Sequence, residues 1–536
     1  MTDHVDPDLA EGLGPEVADV LGAWAELHDR YYQLDYWLVN GRSRAPVAVV
    51  TETDLRRVAI AQLVLKVLTV SSGGIRDLEY GRHLRAVEQA GSFARHLSRF
   101  VHEAIPAGTK RWITFQSVAG ETLGNSEVLT VLLRRMLGIS TDPEPTKAAP
   151  LTCDPPTFAA ACARVVRGVL NEWAGPPFTP PGETWDLPHF FRQHIFDQMD
   201  EGGRLHGWAD RHQGSYLSLP GESTLLPNPF AVARGEFFDP AVVVRPLIGR
   251  THGDLHTDNA LIQVRPTIEP SAFYLIDTAL YEDSGPLTRD PVHFVLYVIA
   301  RSMEAIAPAQ HAPLIDLLLD PPSGPAHLLP GWLAMLVRQT DAEAIAWVRP
   351  SGLEDRWRSQ TLLSIAACAL LFLGRSSTPE KDKPFFLRLA ARAVARFADT
   401  EPRRARPTGA GQDSDAGRPS DGTRRVAWIG WLCREYPHVR TAAGLRGWED
   451  EAEQFRDDAL GGLDRTDDLT DFVRRLGGPT PDPRFGTSGS EGQPVDEAYL
   501  CPIELCPRRE QRPPGGPVPV CHLTRDQPRR MRSSLG

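Results

Sequence analysis

The sequence predicts an α+β protein in which a strand-rich N-terminal part precedes a helical part. Short apolar runs typical of strands lie at 47–50, 62–68 and 111–116. From residue 126 onward apolar residues recur at three- and four-residue spacing, which predicts amphipathic helices at 126–137, 156–173 and 187–200.

Breaks in this pattern divide the chain into segments. Residues 402–424 and 477–494 are rich in Pro, Gly and charged residues and are predicted linkers. The expected organisation is an N-terminal helical extension (1–30), a small β-rich lobe (31–120), a helical lobe (121–401), a linker (402–424), a small helical module (425–478) and a Pro/Arg-rich tail (479–536).

Composition narrows the class of protein. The chain has 536 residues and a net charge of −11, which argues against a general nucleic-acid binder. The N-terminus has no apolar signal region, and the apolar run 362–373 is predicted to be a buried helix too short to span a membrane. Seven Cys in a chain of this length, four of them scattered singly, make no disulfide framework. We expect a cytoplasmic enzyme without membrane or nucleic-acid partners. High Arg, Ala and Pro with little Lys is typical of a GC-rich bacterial genome.

The most informative stretch is 251–259, because it places Asp254 and Asn259 five positions apart between two apolar runs. Asp277 ends a further strand-like run at 273–276. Phosphoryl transfer from ATP needs one carboxylate to orient a hydroxyl, and an amide with a second carboxylate to hold Mg²⁺. The pattern predicts the first role for Asp254 and metal binding by Asn259 and Asp277. A chance cluster on a strand-turn-strand is the alternative.

These residues also carry a family resemblance. His-Gly-Asp-Leu-His-x-x-Asn at 252–259, followed by Ile-Asp at 276–277, resembles the catalytic loop and metal-binding Asp of aminoglycoside and choline phosphotransferases. The resemblance implies a bilobal protein-kinase-like fold, with a small β-rich N-lobe and a helical C-lobe. Thr257-Asp258 stands where the family often has Pro-Gly, a change that we expect to be tolerated.

A single Lys interrupts the buried-looking run 62–68, and Lys66 is costly to bury unless it is paired. The resemblance implies that it binds the α- and β-phosphates and is held by a Glu of the next helix. The helix predicted at 76–90 offers Glu79 and Glu88, of which Glu79 is preferred. The alternatives are a Lys66 that reaches water at a strand edge, and Glu side chains on a solvated helix face.

Further nucleotide contacts follow from the order of elements. Residues 38–50 fit strand, tight turn and strand, where N–H groups near Gly41 to Ser43 could cap phosphate oxygens. The strand 111–116 running into 117–123 resembles the hinge, which places Gln116 and Val118 at the adenine. Asp290 is predicted to be a structural N-cap, and His252 and His256 to be loop scaffolding.

The C-terminal part has two features. Two predicted helix faces are apolar: one carries Trp448, Ala452, Phe455 and Ala459, and the other lies within 469–476. They predict a small helical module. It either resembles the protein-binding adaptors of bacterial signalling systems or is an ordinary appendage. The tail holds four soft ligands that could close a zinc site, namely Cys501, Cys506, Cys521 and His522. The alternative is a disordered tail with incidental thiols.

The prediction is an ATP- and Mg²⁺-dependent kinase that moves the γ-phosphate to a hydroxyl of a small molecule or a protein partner. The arrangement of modules also resembles the ternary-complex-associated phosphotransferase-like domains of actinobacterial conflict systems over residues 30–400. A nucleotide-binding pseudokinase and a purely structural adaptor are the alternatives. A P-loop ATPase is disfavoured, because the chain has no Gly-x-x-x-x-Gly-Lys-Ser/Thr motif.

Overall fold

The computed structural model of the chain describes residues 4–38, 46–69, 79–118, 125–139, 153–180, 182–400, 432–433, 436–444, 446–460 and 466–476, and short strands within 498–533. The chain divides into two compact units. The first unit contains residues 1–185, 193–195 and 243–385. The second contains 186–192, 196–242 and 386–536.

The strands of the described residues are, in chain order, β1 Arg30–Trp37, β2 Val47–Asp54, β3 Ala59–Thr69, β4 Ile105–Ala107, β5 Arg111–Ser117, β6 Ser126–Val128, β7 Trp185–Asp186, β8 Tyr216–Leu217, β9 Leu226–Pro227, β10 Val243–Val244, β11 Ile248–Thr251, β12 Ala260–Gln263, β13 Glu269–Leu275, β14 Glu282–Pro286, β15 Ala498–Leu500, β16 Arg509–Gln511, β17 Val520–Cys521, β18 Arg529–Arg530 and β19 Arg532–Ser533.

The α-helices are, in the same order, α1 Pro7–Leu13, α2 Pro15–Leu27, α3 Glu79–Glu88, α4 Leu129–Met136, α5 Pro155–Arg167, α6 Leu187–Ile195, α7 His206–Arg211, α8 Pro229–Arg234, α9 Arg289–Ser302, α10 His311–Leu319, α11 Gly331–Val348, α12 Glu354–Gly374, α13 Lys383–Thr400, α14 436–444, α15 Glu449–Leu460 and α16 Thr466–Arg475.

The first unit begins with an antiparallel sheet of five strands in the order β1-β2-β3-β5-β4. Side chains alternate across a strand, so Leu63, Leu65 and Val67 of β3 are buried on one face while Lys66 lies on the other. Helices α1 and α2 cover the apolar face, and their side chains form one core with those of the sheet. The opposite face is therefore where Lys66 meets the rest of the unit.

The remainder of the first unit is mostly helical. A three-stranded sheet in the order β13-β12-β6 and the pair β11–β14 carry the 252–259 loop and the turn that contains Asp277. Helix α5 packs against α11, and α9 against α12. One helix of the described part, Glu354–Gly374, is long and apolar enough to cross a membrane, but 72% of its apolar window is buried inside the structure. The prediction of a buried helix here is confirmed, but the prediction that it is too short to span a membrane is wrong, because the helix extends beyond the run 362–373 to 21 residues.

The second unit has a core of its own. All side chains predicted to line the two faces of the helical module contribute to it or pack against it. Leu225 belongs to the same cluster, and Arg446 donates a hydrogen bond to the Ser223 carbonyl at 2.7 Å. Arg388 also pairs with Glu222. The helical module therefore shares its core with residues from the middle of the chain.

Several predicted boundaries are wrong. The strand before the 252–259 loop is Ile248–Thr251, and only Val243–Val244 of the apolar run 241–244 that precedes the loop in the sequence forms a strand. Ser126–Val128 is a strand that pairs with β12, because its residues complete that sheet edge before α4 begins. Helix α6 stops at Ile195, since Phe196 adopts φ 51°, which a continuing helix does not allow.

Candidate active site

Lys66 and Glu79 form an ion pair. The Lys66 Nζ atom lies 2.7 Å and 2.5 Å from the two Glu79 carboxylate oxygens, and both side chains are largely buried. Glu88, the other candidate, is exposed at the end of α3. Burial raises the pKa of the Glu79 carboxyl, Lys66 opposes the rise and the charge of Asp277 adds to it. Asp277 therefore lies close enough to influence this pair.

The loop after β11 is fixed by its backbone. The N–H groups of His252 and Gly253 donate to the two carboxylate oxygens of Asp290 at 2.6 Å and 3.0 Å. Gly253 has φ 82°, and a side-chain carbon there would overlap the carbonyl oxygen of Leu280. Only glycine suits this position, because it tolerates positive φ and allows the close approach.

Asp290 thus supports the loop and is not the N-cap of α9 that the sequence predicted. The helix begins at Arg289 with Thr288 as its N-cap, so Asp290 is inside the first turn. Its carboxylate is 1% exposed and points to the loop rather than to the N–H groups of its own helix. The place of Asp290 before a Pro is typical of an N-cap, but in the structure its hydrogen-bond partners are the N–H groups of a loop that is distant in the sequence.

Basic side chains surround the Asp254 carboxylate, which is 25% exposed. His256 Nε2 lies 3.5 Å from Oδ2, while His293 Nε2 and an Arg375 nitrogen lie 3.8 Å and 3.7 Å from Oδ1. Burial opposes ionisation, but the hydrogen bond from His256 and the charges of the neighbouring basic groups hold the pKa of Asp254 below its ordinary range. Asp254 is therefore a carboxylate at neutral pH.

Arg375 and His293 were not predicted from the sequence. Arg375 donates to His293 Nε2 at 2.7 Å, so the His293 Nδ1–H must be the group that donates to the Leu255 carbonyl, at 2.9 Å. Arg375 follows α12 directly and also lies over the ring of Phe372. No local pattern marks an Arg at a helix end as part of a site more than a hundred residues upstream.

The two predicted metal ligands lie at the ends of neighbouring strands. Asn259 precedes β12 and Asp277 follows β13, and Ala260 is paired with Leu275 in the antiparallel register. Asn259 donates from Nδ2 to the Asp254 carbonyl at 3.0 Å, which leaves its Oδ1 as a possible ligand. The Asp277 carboxylate is exposed. One amide and one carboxylate fit Mg²⁺, which usually keeps waters and substrate phosphates as its other ligands.

Asp277 has φ 60°, in the left-handed region. A non-glycine residue there is strained and persists only where the surroundings impose it, as at many functional sites. In the described residues, no group of three or more His, Cys, Asp or Glu side chains is arranged to hold a metal.

The histidines and the unusual dipeptide of the loop have structural partners. His252 is fully buried and its Nε2 bonds the Ile276 carbonyl at 3.0 Å, while the ring of His256 stacks on Tyr297 at 4.4 Å. Asp258 accepts from Tyr297 and from Arg301, the latter at 2.9 Å. Thr257 shares a hydroxyl contact of 2.6 Å with Thr130. Thr257 and Asp258 therefore anchor the loop where the family often has Pro-Gly.

The other predicted site residues lie partly outside the described residues. Gln116 and Val118 lie at the end of β5, and Gln116 is paired with Val64. Gly41 and Ser43 are not described, nor are Cys501, Cys506 and His522. Cys521 belongs to β17, and its side chain is not described. The zinc prediction therefore has no support.

Comparisons with known proteins give weak similarities. No known family profile matches the chain, and no curated protein matches it. The ethanolamine kinase of Plasmodium vivax superimposes with a TM-score of 0.31 at 11% identity, over 70% of this chain and 85% of that one. A Ralstonia eutropha protein assigned as an aminoglycoside phosphotransferase gives 0.32 at 13% identity, over 71% and 96%.

Both similarities are too low to support an argument by themselves. The assignment of the fold rests on a five-stranded antiparallel sheet with a paired Lys on its third strand, followed by the strand-loop-strand that carries Asp254, Asn259 and Asp277. The fold is α+β and protein-kinase-like, as predicted. The resemblance to conflict-system domains is supported by neither structure.

Proposed function

We propose that this chain is an ATP-dependent phosphotransferase that moves the γ-phosphate to a hydroxyl of a small molecule or of a protein partner. The observation that supports it is the convergence of a buried Lys66–Glu79 pair, an ionised Asp254 and the Asn259–Asp277 pair within one unit. Phosphoryl transfer is catalysed mainly by positioning and charge stabilisation, and these residues supply both.

Each residue has a role that its surroundings favour. Lys66, held by Glu79, binds the phosphates of ATP as a fixed cation. Asp254 accepts the hydrogen bond of the acceptor hydroxyl and takes its proton as the new P–O bond forms, while the bond from the γ-phosphorus to the β,γ-bridging oxygen breaks and ADP leaves. Asn259 and Asp277 offer oxygen ligands to Mg²⁺, which when bound neutralises charge on the phosphates. Arg375 lies beside Asp254 and places a positive charge on the acceptor side.

Transfer of labelled γ-phosphate from ATP to a panel of hydroxyl acceptors and candidate proteins tests the proposal. Asp254→Asn and Asp277→Asn are each expected to lower kcat by roughly 1,000-fold, a loss of about 4 kcal/mol in transition-state stabilisation. Asp19→Asn is the matched control, because Asp19 is exposed on α2 in the same unit. Nucleotide binding without transfer to any acceptor would favour the pseudokinase, and no ATP-induced thermal shift would contradict both.

A further inference from the structure

Helix α3 contacts more than Lys66. Glu79, Arg82 and His83 lie three and four residues apart, so their side chains share one face of the helix. Arg82 donates from Nη1 to the Ala279 carbonyl at 2.6 Å, and His83 Nδ1 lies 2.8 Å from the Thr278 hydroxyl. Two side chains of α3 thus hold the chain directly after Asp277.

The contact between His83 and Thr278 has a defined direction. His83 Nε2 lies 2.7 Å from the Ser98 carbonyl, which can only accept, so Nε2 carries the proton. In the neutral ring Nδ1 is then the acceptor, and the Thr278 hydroxyl donates to it. His83 and Thr278 are 1% and 0% exposed, and the edge of the His83 ring faces Phe100 at 4.7 Å. Water does not compete for this bond.

The turn that these bonds hold is strained. Asp277 is the only residue of the segment 276–281 that combines a side chain with positive φ. The Ile276 N–H donates to the Asn259 carbonyl at 3.1 Å on one side, and the Tyr281 N–H donates to the Thr278 carbonyl at 3.0 Å on the other. Loss of the side-chain bonds from α3 would remove two contacts that hold residues 278 and 279, and we expect Asp277 then to relax out of the left-handed region.

We propose that Arg82 and His83 are positioning residues that hold the Asp277 carboxylate toward the metal, so that the affinity for Mg²⁺ with ATP depends on the place of α3. The inference rests on the proposed function. Because Glu79 extends from the same helix to Lys66, one displacement of α3 would loosen both the phosphate contact and the metal contact.

The test compares variants by binding, without measuring turnover. Thermal shift by ATP is recorded while Mg²⁺ is titrated, and hydrogen exchange of residues 276–281 is followed in the nucleotide-free protein. Thr278→Val removes the hydroxyl at nearly constant shape, and Arg82→Gln breaks the other contact from a half-buried site. Thr278→Ser and Arg82→Lys are the conservative rescues. Arg85→Gln, exposed on the same helix, is the matched control.

Residues that orient metal ligands commonly change metal affinity 10- to 100-fold, so half-saturating Mg²⁺ is expected to rise by roughly 10-fold in Thr278→Val and Arg82→Gln. Exchange at 276–281 becomes faster in both. The rescues and Arg85→Gln stay near wild type, and the ATP shift without Mg²⁺ is unchanged. Unaltered Mg²⁺ dependence in the folded variants would overturn this inference and leave the proposed function standing. A wild-type protein without any Mg²⁺-dependent ATP shift would remove the proposed function, and the inference with it.

Discussion

The two carboxylates of the site are held in opposite ways. Asp254 lies in a loop whose backbone bonds buried Asp290 and whose side chain is surrounded by His256, His293 and Arg375. Asp277 is exposed and strained, and it depends on bonds made by its neighbours in the chain. The position of Asp254 is therefore fixed by the side chains packed around it, whereas that of Asp277 depends on helix α3.

The largest effect is expected where the Asp254 loop is anchored. Asp290→Ala leaves two buried N–H groups without their acceptor, and each such loss costs about 1–3 kcal/mol. The free energy of unfolding should fall by roughly 3 kcal/mol, measured by guanidinium denaturation. Asp19→Ala, at an exposed position of α2, should change it by less than about 0.5 kcal/mol. Equal stabilities for the two variants would contradict a preset loop.

The contact between α3 and the Asp277 turn predicts a pH dependence. Burial lowers the pKa of His83 to about 4, against about 6.5 in an unfolded chain. As pH falls the unfolded chain binds the proton first, so this contribution is complete above pH 6.5 and is lost between pH 6.5 and 4. The loss is on the order of 3 kcal/mol.

His83→Gln cannot titrate, so its stability should fall less steeply than that of wild type across this window. Chemical denaturation at a series of pH values between 4 and 7.5 measures the difference. The same slope in both proteins would show that the buried ring is not the group responsible.

A smaller effect is expected beside Asp254. Arg375→Gln removes the cation near Oδ1, and kcat should fall by roughly 10-fold, or about 1.4 kcal/mol, while KM for ATP is unchanged. Arg375→Lys should recover part of the rate. Arg358→Gln on α12 is the control, because Arg358 is 41% exposed and its carboxylate partner is Asp341. A change in KM alone would assign Arg375 to binding.

The smallest effect is expected at Asp277, where one substitution separates the backbone strain of the turn from its role in the response to Mg²⁺. Asp277→Gly relieves a positive φ that costs about 1–3 kcal/mol, against about 0.5–1 kcal/mol for the greater freedom of unfolded glycine. Stability should rise by roughly 1 kcal/mol while the response to Mg²⁺ with ATP disappears. Asp29→Gly is the matched control, since Asp29 has φ 55° and is exposed. It should gain stability and keep the nucleotide response.

Much of this arrangement could be predicted. Lys66 stood out as a lone charge in an apolar strand, and Asp254, Asn259 and Asp277 as polar groups at strand ends. Arg375, His293 and Thr278 could not be found in this way, because nothing in their local pattern differs from an ordinary helix or turn. Asp290 was predicted to be an N-cap, which is wrong, since its place before a Pro at a helix start resembles a cap while its carboxylate bonds the 252–259 loop.

The sequence by itself determined the order of strands and helices and the residue types that phosphate and magnesium chemistry require, because both are local properties of spacing and side-chain chemistry. The tertiary structure decided which Glu pairs with Lys66, which cation lies beside Asp254 and what holds Asp277 in a strained turn. Such contacts join residues far apart in the chain, and only the packing of the sheet and helices brings them within bonding distance.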